Sequence, residues 1–211
     1  VNDGAPRTGG LNSEGDPEVT LRAAIQQHVR VEGSTQPGYN GKPLIVLSGV
    51  KAGADSNGLR LSAGSSFVTG LAISRFAGAG IFVFGSGDNF IVGCFVGTDA
   101  AGLVAQGNGC GIAIVDSPNN VVAGTATSLS IVSGNTDSGI MIQGANATGN
   151  RVQGTLVGTR FDGMAPLPNG KSGVAIFGGA SGNIIGTDGN GTNDTIEGNI
   201  LSGNKWCGVR I

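Results

Sequence analysis

The sequence predicts an all-β fold, a parallel β-helix (β-solenoid) carrying an N-terminal α-helical cap. Three observations predict it. A Gly-led tetrapeptide recurs as Gly58-Leu59-Arg60-Leu61, Gly80-Ile81-Phe82-Val83, Gly111-Ile112-Ala113-Ile114, Gly139-Ile140-Met141-Ile142, Gly173-Val174-Ala175-Ile176 and Gly208-Val209-Arg210-Ile211. Its second and fourth positions are aliphatic and its third is mixed, the alternation of a strand with one buried face. A second column, centred on Val68, Ile91, Val122, Val152 and Ile196, follows the first five copies. A third stands three residues past the next glycine, at Ile73, Val96, Val157 and Leu201. Short strands recurring at tens of residues between Gly/Asn turns form coils that bury their inner side chains only by stacking.

The chain has 211 residues, 41 of them Gly, and a formal net charge of −2. So much glycine would signal disorder if apolar residues were scarce, but 39% of the chain is hydrophobic. Lys and Arg do not cluster, which argues against a nucleic-acid surface. No apolar run reaches transmembrane length, so no membrane insertion is expected. Cys94, Cys110 and Cys207 lack metal-ligand spacing. Two readings of them stand: small buried side chains, or one Cys94–Cys110 disulfide in an oxidising compartment.

Taken in order, residues 1–15 read as a loop rich in Gly, Asn and Asp. Asp16-Pro17-Glu18 then offers an N-cap, a first-turn proline and an acid facing the helix dipole. Leu21, Ala24, Ile25 and Val29 fall on one helical face with Arg22, Gln26, Gln27 and Arg30 opposite, so this helix is expected to cover the apolar end of the first coil. Residues 33–41 form a turn-rich connector, and Pro43-Leu44-Ile45-Val46-Leu47 is the first clear strand. Residues 1–42 are thus loop, cap and connector, and residues 43–211 are coils, open at the C-terminal end. Longer loops at 97–102 and 158–163 mark alternate coils, making the repeat a pair of coils. Val209 and Ile211 lie in a last strand without a capping element, where further coils of the same protein or another copy are expected to dock.

Thr20-Leu21-Arg22-Ala23-Ala24-Ile25, the connector from Gly33 to Gly41, and the paired-coil repeat with Val96-Gly97-Thr98-Asp99 together resemble the repeat-rich right-handed parallel β-helix proteins of bacteria, within the pectin-lyase-like superfold. The resemblance implies a secreted or surface-attached protein, often one module of a larger one. Some members of that group are polysaccharide lyases or hydrolases. Right-handedness is implied the same way, with support from the right-handed preference of parallel crossovers. Two departures stand out. Cys94 occupies a position where that group places a corner Asn, which predicts an interrupted Asn ladder, and Arg160 stands where the sister coil has Asp99.

Polysaccharide cleavage on such a scaffold needs carboxylates gathered on one outer face. Asp99 and Asp162 lie on alternate coils, while Glu197 shares a column with Gln153 and is joined there by no second carboxylate, although two carboxylates can still meet through loop folding. No catalytic residue is therefore assigned. His28, the single histidine, reads as a cap-layer side chain. The outward columns carry no regular Thr array of the kind that would bind ice. Asp188, Asn190 and Asp194 place oxygen donors around a glycine turn and form the candidate calcium loop; no cofactor is otherwise required. Phe67, Phe90 and Val121 fall on consecutive coils as an outward apolar stripe, either covered by the chain's own long loops or used as an interface. The expected function is a non-enzymatic extracellular structural or adhesive module of a larger surface protein or an end-to-end assembly. The competing class is a polysaccharide-active enzyme or a carbohydrate-binding module.

Overall fold

The computed structural model describes residues 28–211. Most of the expected capping helix therefore lies outside the described residues. These form six coils of three strands each. The first coil holds β1 (Arg30–Glu32), β2 (Ile45–Ser48) and β3 (Leu59–Leu61), and the second holds β4 (Phe67–Thr69), β5 (Leu71–Ser74) and β6 (Ala79–Phe84). The third holds β7 (Phe90–Val92), β8 (Phe95–Val96) and β9 (Cys110–Val115), and the fourth β10 (Val121–Ala123), β11 (Ser130–Val132) and β12 (Ile140–Gln143). The fifth holds β13 (Arg151–Gln153), β14 (Thr155–Val157) and β15 (Val174–Phe177), and the sixth β16 (Ile184–Ile185), β17 (Ile200–Leu201) and β18 (Val209–Arg210). Every third strand pairs in parallel, which makes three six-stranded sheets and defines a parallel β-solenoid.

The register explains why the columns repeat. In the third sheet Leu59, Ile81, Ile112, Ile140, Val174 and Val209 are successive partners. In the second, Leu47, Ile73, Val96, Val132, Val157 and Leu201 are. Coils lie about 4.8 Å apart, so each inward aliphatic packs on the one above and the one below. Ile81, Ile112 and Ile140 are almost wholly buried, whereas Arg60 and Arg210 of the outward column are exposed.

Two strand assignments are corrected. Val29 and Arg30, given to the helix by their spacing, are extended: Phe67 N donates to Val29 O at 2.8 Å, and Val31 pairs with Val68. The first coil thus begins inside the stretch 1–42. Backbone pairing to the second coil offers these residues partners that an exposed last helical turn would leave to water. In the first sheet Ile185, not Ile196, continues the Val68–Ile91–Val122–Val152 column. Asn183 fixes this register by accepting from Asn150 N at 2.9 Å. The chain then leaves the tube at Gly186 and rejoins it at Glu197, whose carbonyl accepts from Gly154 N at 2.9 Å. Thr195 and Ile196 belong to the loop between.

Two of the three corners are held by asparagine ladders. Asn89, Asn120, Asn150 and Asn183 are joined by side-chain bonds of 2.7, 2.8 and 2.9 Å before the first sheet. Asn108, Asn135, Asn169 and Asn204 repeat the device before the third, at 3.1, 3.0 and 2.9 Å. Cys94 sits at the remaining corner and interrupts neither, which corrects the expectation of a broken ladder. Cys94 and Cys110 are free thiols, which rules out the disulfide reading. Burial pushes Cys94 up to about 11, and burial together with the Asp137 carboxylate pushes Cys110 up to about 12. Neither is a thiolate nucleophile at neutral pH.

The long loops have a packing role. Phe161 N of the fifth coil donates to Gly102 O of the third at 2.9 Å, so the two loops meet across the coil between them. Phe161 and Ala100 cover Phe95, Ile131 and Leu156, forming a second apolar cluster outside the tube. The connector reinforces this cover: Tyr39 OH bonds Ser128 Oγ, and Lys42 Nζ lies 4.2 Å from the centre of the Phe161 ring.

Candidate functional site

The structure brings Phe67, Phe90 and Val121 together as successive partners on the outer face of the first sheet. The Phe67 and Phe90 rings lie 6.4 Å apart, and Phe90 is 44% exposed. The long loops cover the second sheet instead, so of the two sequence readings for this stripe, cover by those loops is the one the geometry overturns. Strand alternation makes the stripe, because the side chains that flank each inward Val or Ile must point out. The same column carries Arg30 on the first coil and Arg151 on the fifth. Arg30 Nε donates to Glu32 Oε1 at 2.7 Å and its guanidinium lies over Phe67; Arg151 Nε lies 3.8 Å from Asp188 Oδ2.

Val209 and Ile211 are 40% and 96% exposed on the last coil, well away from the stripe. They share that coil with Trp206, 59% exposed, near which stand Lys171 at 5.7 Å and Arg210 at 6.0 Å from the ring centre. This aromatic and basic group escaped sequence reasoning, because Lys171 comes from the preceding coil.

The loop that leaves the tube after Gly186 carries Asp188, Asn190 and Asp194. Asp188 and Asp194 come together with Glu197, one carboxylate oxygen of each lying within 4.8 Å of the others. The two carboxylates reach Glu197 through the folding of the loop and not from its column, the route the sequence left open. Glu197 Oε2 accepts from Asp188 N at 3.1 Å. Asn190 is exposed, and its Oδ1 accepts from Thr192 N at 2.7 Å. Asp194 Oδ1 is buried without a hydrogen-bond partner.

Asp99 and Asp162 each serve their own loop. Asp99 Oδ1 accepts from Leu103 N and Val104 N at 2.8 and 3.0 Å, and Asp162 Oδ1 from Met164 N at 2.9 Å. The Met164 N–H holds the Asp162 carboxyl below its ordinary range, which suits an anion and not a proton donor. An open groove of about 420 Å³ runs between Gly49, Phe76, Asn108 and Thr136, with Arg75 as its one charged lining residue. His28 is exposed and precedes β1.

Fold and site together define a three-sheeted parallel β-solenoid with an apolar outer stripe and a carboxylate loop. No protein-family model, curated protein or solved structure matches this chain.

Proposed function

We propose that this solenoid is a non-enzymatic extracellular module with a structural or adhesive role, part of a larger surface protein or of an end-to-end assembly. In this reading it belongs with the right-handed pectin-lyase-like β-helices of bacteria. The observation that carries it is the Phe67–Phe90–Val121 stripe, which the long loops leave uncovered among the described residues, whereas the apolar cluster around Phe95 is covered by Phe161 and Ala100. A contiguous exposed apolar patch marks a contact surface. Val209 and Ile211, on the sixth coil, are proposed as the second contact, with another copy or with further coils. Light scattering over a range of concentrations is expected to show growing mass that Phe90→Asp or Val209→Asp reduces. Measured turnover of any glycan, or a monomer at every concentration in wild type and variants alike, contradicts the reading.

Calcium is proposed as a stabilising ion of the Asp188–Asp194–Glu197 loop, supported by the buried, unpartnered Asp194 Oδ1. Ca²⁺ at about 100 times its Kd would add about 2.7 kcal/mol. Thermal unfolding is expected to shift upward in Ca²⁺ relative to EDTA, and Glu197→Gln to abolish the difference. Equal melting in both buffers removes the ion from the account.

The competing reading, polysaccharide recognition, draws on Trp206 between Lys171 and Arg210, a flat ring beside cations. It is tested by titrating acidic and neutral glycans against the intrinsic fluorescence of the single Trp. A saturable change that Lys171→Ala weakens supports it; an unchanged spectrum does not.

A further inference from the structure

Asn-Gly pairs occur at Asn40, Asn57, Asn108, Asn169 and Asn190. In such a pair the glycine nitrogen can attack the asparagine Cγ and expel the side-chain amide, since no Cβ on the glycine hinders the approach. The fold guards three of the five. Asn108 and Asn169 are fully buried, with both ends of each amide bound in the ladder, and half-buried Asn57 accepts from Ala79 N at 2.8 Å. Their glycine nitrogens are also engaged by neighbouring coils: Gly58 N donates to Ala79 O at 3.0 Å, Gly109 N to Phe76 O at 2.9 Å and Gly170 N to Asn135 O at 2.8 Å. Asn40 and Asn190 are exposed. Only at the second, among the described residues, does the glycine nitrogen meet a carboxylate: Gly191 N donates to Asp194 Oδ2 at 3.2 Å.

We propose that Asn190-Gly191 is a self-modifying site, where Asn190 loses its side-chain amide through a cyclic imide and becomes an acid. Asp194 Oδ2 stands where it can take the proton of the attacking Gly191 nitrogen. Asn190 Oδ1 accepts from Thr192 N at 2.7 Å, a donor that stabilises the negative charge growing on this oxygen as Cγ is attacked. Asp188 Oδ1 accepts from Asn190 N at 3.2 Å and holds the backbone for the approach. A Cβ built on Gly191 would meet nothing within 4 Å, so the segment is open to water. The bond from Gly191 N to Asn190 Cγ forms, the Cγ–Nδ2 bond breaks, and ammonia leaves with the proton that Asp194 took up. Water then opens the ring at either of its carbonyls and yields aspartate or isoaspartate. Either product adds a carboxylate to the loop that gathers Asp188, Asp194 and Glu197. The negative charge of this loop therefore grows with the age of the molecule. The inference goes beyond the assembly reading and requires no bound ion.

The test is peptide mass spectrometry on folded protein kept at neutral pH in EDTA and digested at successive times, with the Asn40 and Asn108 peptides of the same molecules as references. EDTA makes the outcome independent of the calcium reading. The Asn190 peptide is expected to gain about one dalton at least about tenfold faster than the Asn40 peptide, while the Asn108 peptide stays unchanged. The gain is expected as two products that separate by chromatography, aspartate and isoaspartate. Asp194→Asn is expected to slow the change at Asn190 about tenfold and to leave Asn40 as it was. In denaturant the Asn40 and Asn190 peptides are expected to change at similar rates, because the preference comes from the fold. Asn190 changing no faster than Asn40 in the folded chain, a preference that persists in denaturant, or aspartate as the single product overturns the proposal. So does Asp194→Asn that reacts at the wild-type rate or faster, which is the result if the loop merely loosens.

Discussion

Gly111→Ala is expected to destabilise the solenoid by about 3 kcal/mol, whereas Gly208→Ala, at the same place in the same tetrapeptide, is expected to change it by less than about 1 kcal/mol. Neither position has a left-handed backbone, so glycine is not needed there for its conformational freedom. The reason lies in the neighbouring coil. A methyl on Gly111 would fall inside van der Waals contact of the Gly139 carbonyl oxygen, 2.6 Å from Val132 Cγ1 and 2.8 Å from Asn135 Nδ2. It would push at once on a backbone carbonyl, the core and the asparagine ladder, none of which can move without moving the coil. At Gly208 the nearest atoms, in Leu201, are 3.7 Å away, an ordinary contact. Denaturant unfolding of both variants measures the difference. Equal losses would mean that the glycine is required by the strand itself and not by stacking.

Asn120→Leu is expected to cost about 4 kcal/mol, and Asn183→Leu at the end of the same ladder about half that. Asn120 is fully buried and nearly isosteric with leucine, so the change leaves little void and isolates the hydrogen bonds. Its Oδ1 accepts from Asn89 N at 3.1 Å and Asn89 Nδ2 at 2.7 Å, while its Nδ2 donates to Ser117 Oγ at 2.9 Å and Asn150 Oδ1 at 2.8 Å. Leucine orphans donors on one side and acceptors on the other, where no water can reach them. Asn183 is only half-buried, and water can replace part of what it supplies to Asn150. In the double variant Asn120→Leu/Asn150→Leu the cost is expected to fall short of the sum, because the second change removes a group that the first had already stranded. Strict additivity would show that the bonds act singly and not as a ladder.

How much of this could be read from the chain alone depended on how local each signal was. The tetrapeptide columns survive intact because their spacing follows from strand alternation, and the Phe67–Phe90–Val121 stripe follows from the same register. Ile196 misled because Thr-Ile-Glu-Gly imitates a column residue by residue; only the asparagine at 183 marks Ile184–Ile185 as the real strand. The ladders were hidden for a related reason. The family pattern drew attention to Cys94, at a corner that has no ladder, when the asparagines that stack stand at the other two. Glu197 was seen but not joined to Asp188 and Asp194, since their meeting depends on a loop folding back over its own exit from the tube. The second apolar cluster needs contacts between residues as distant in sequence as Ala72 and Phe161, which no periodicity records.

The central claim is that the inward aliphatics form continuous columns shared from coil to coil. Methyl-to-methyl nuclear Overhauser effects among Ile81, Ile112, Ile140 and Val174 test it most directly. The account predicts strong effects between Ile81 and Ile112, between Ile112 and Ile140, and between Ile140 and Val174, with none between Ile81 and Ile140, which a whole coil separates. Effects that join Ile81 directly to Ile140, or that fail to join Ile112 to either, would contradict it.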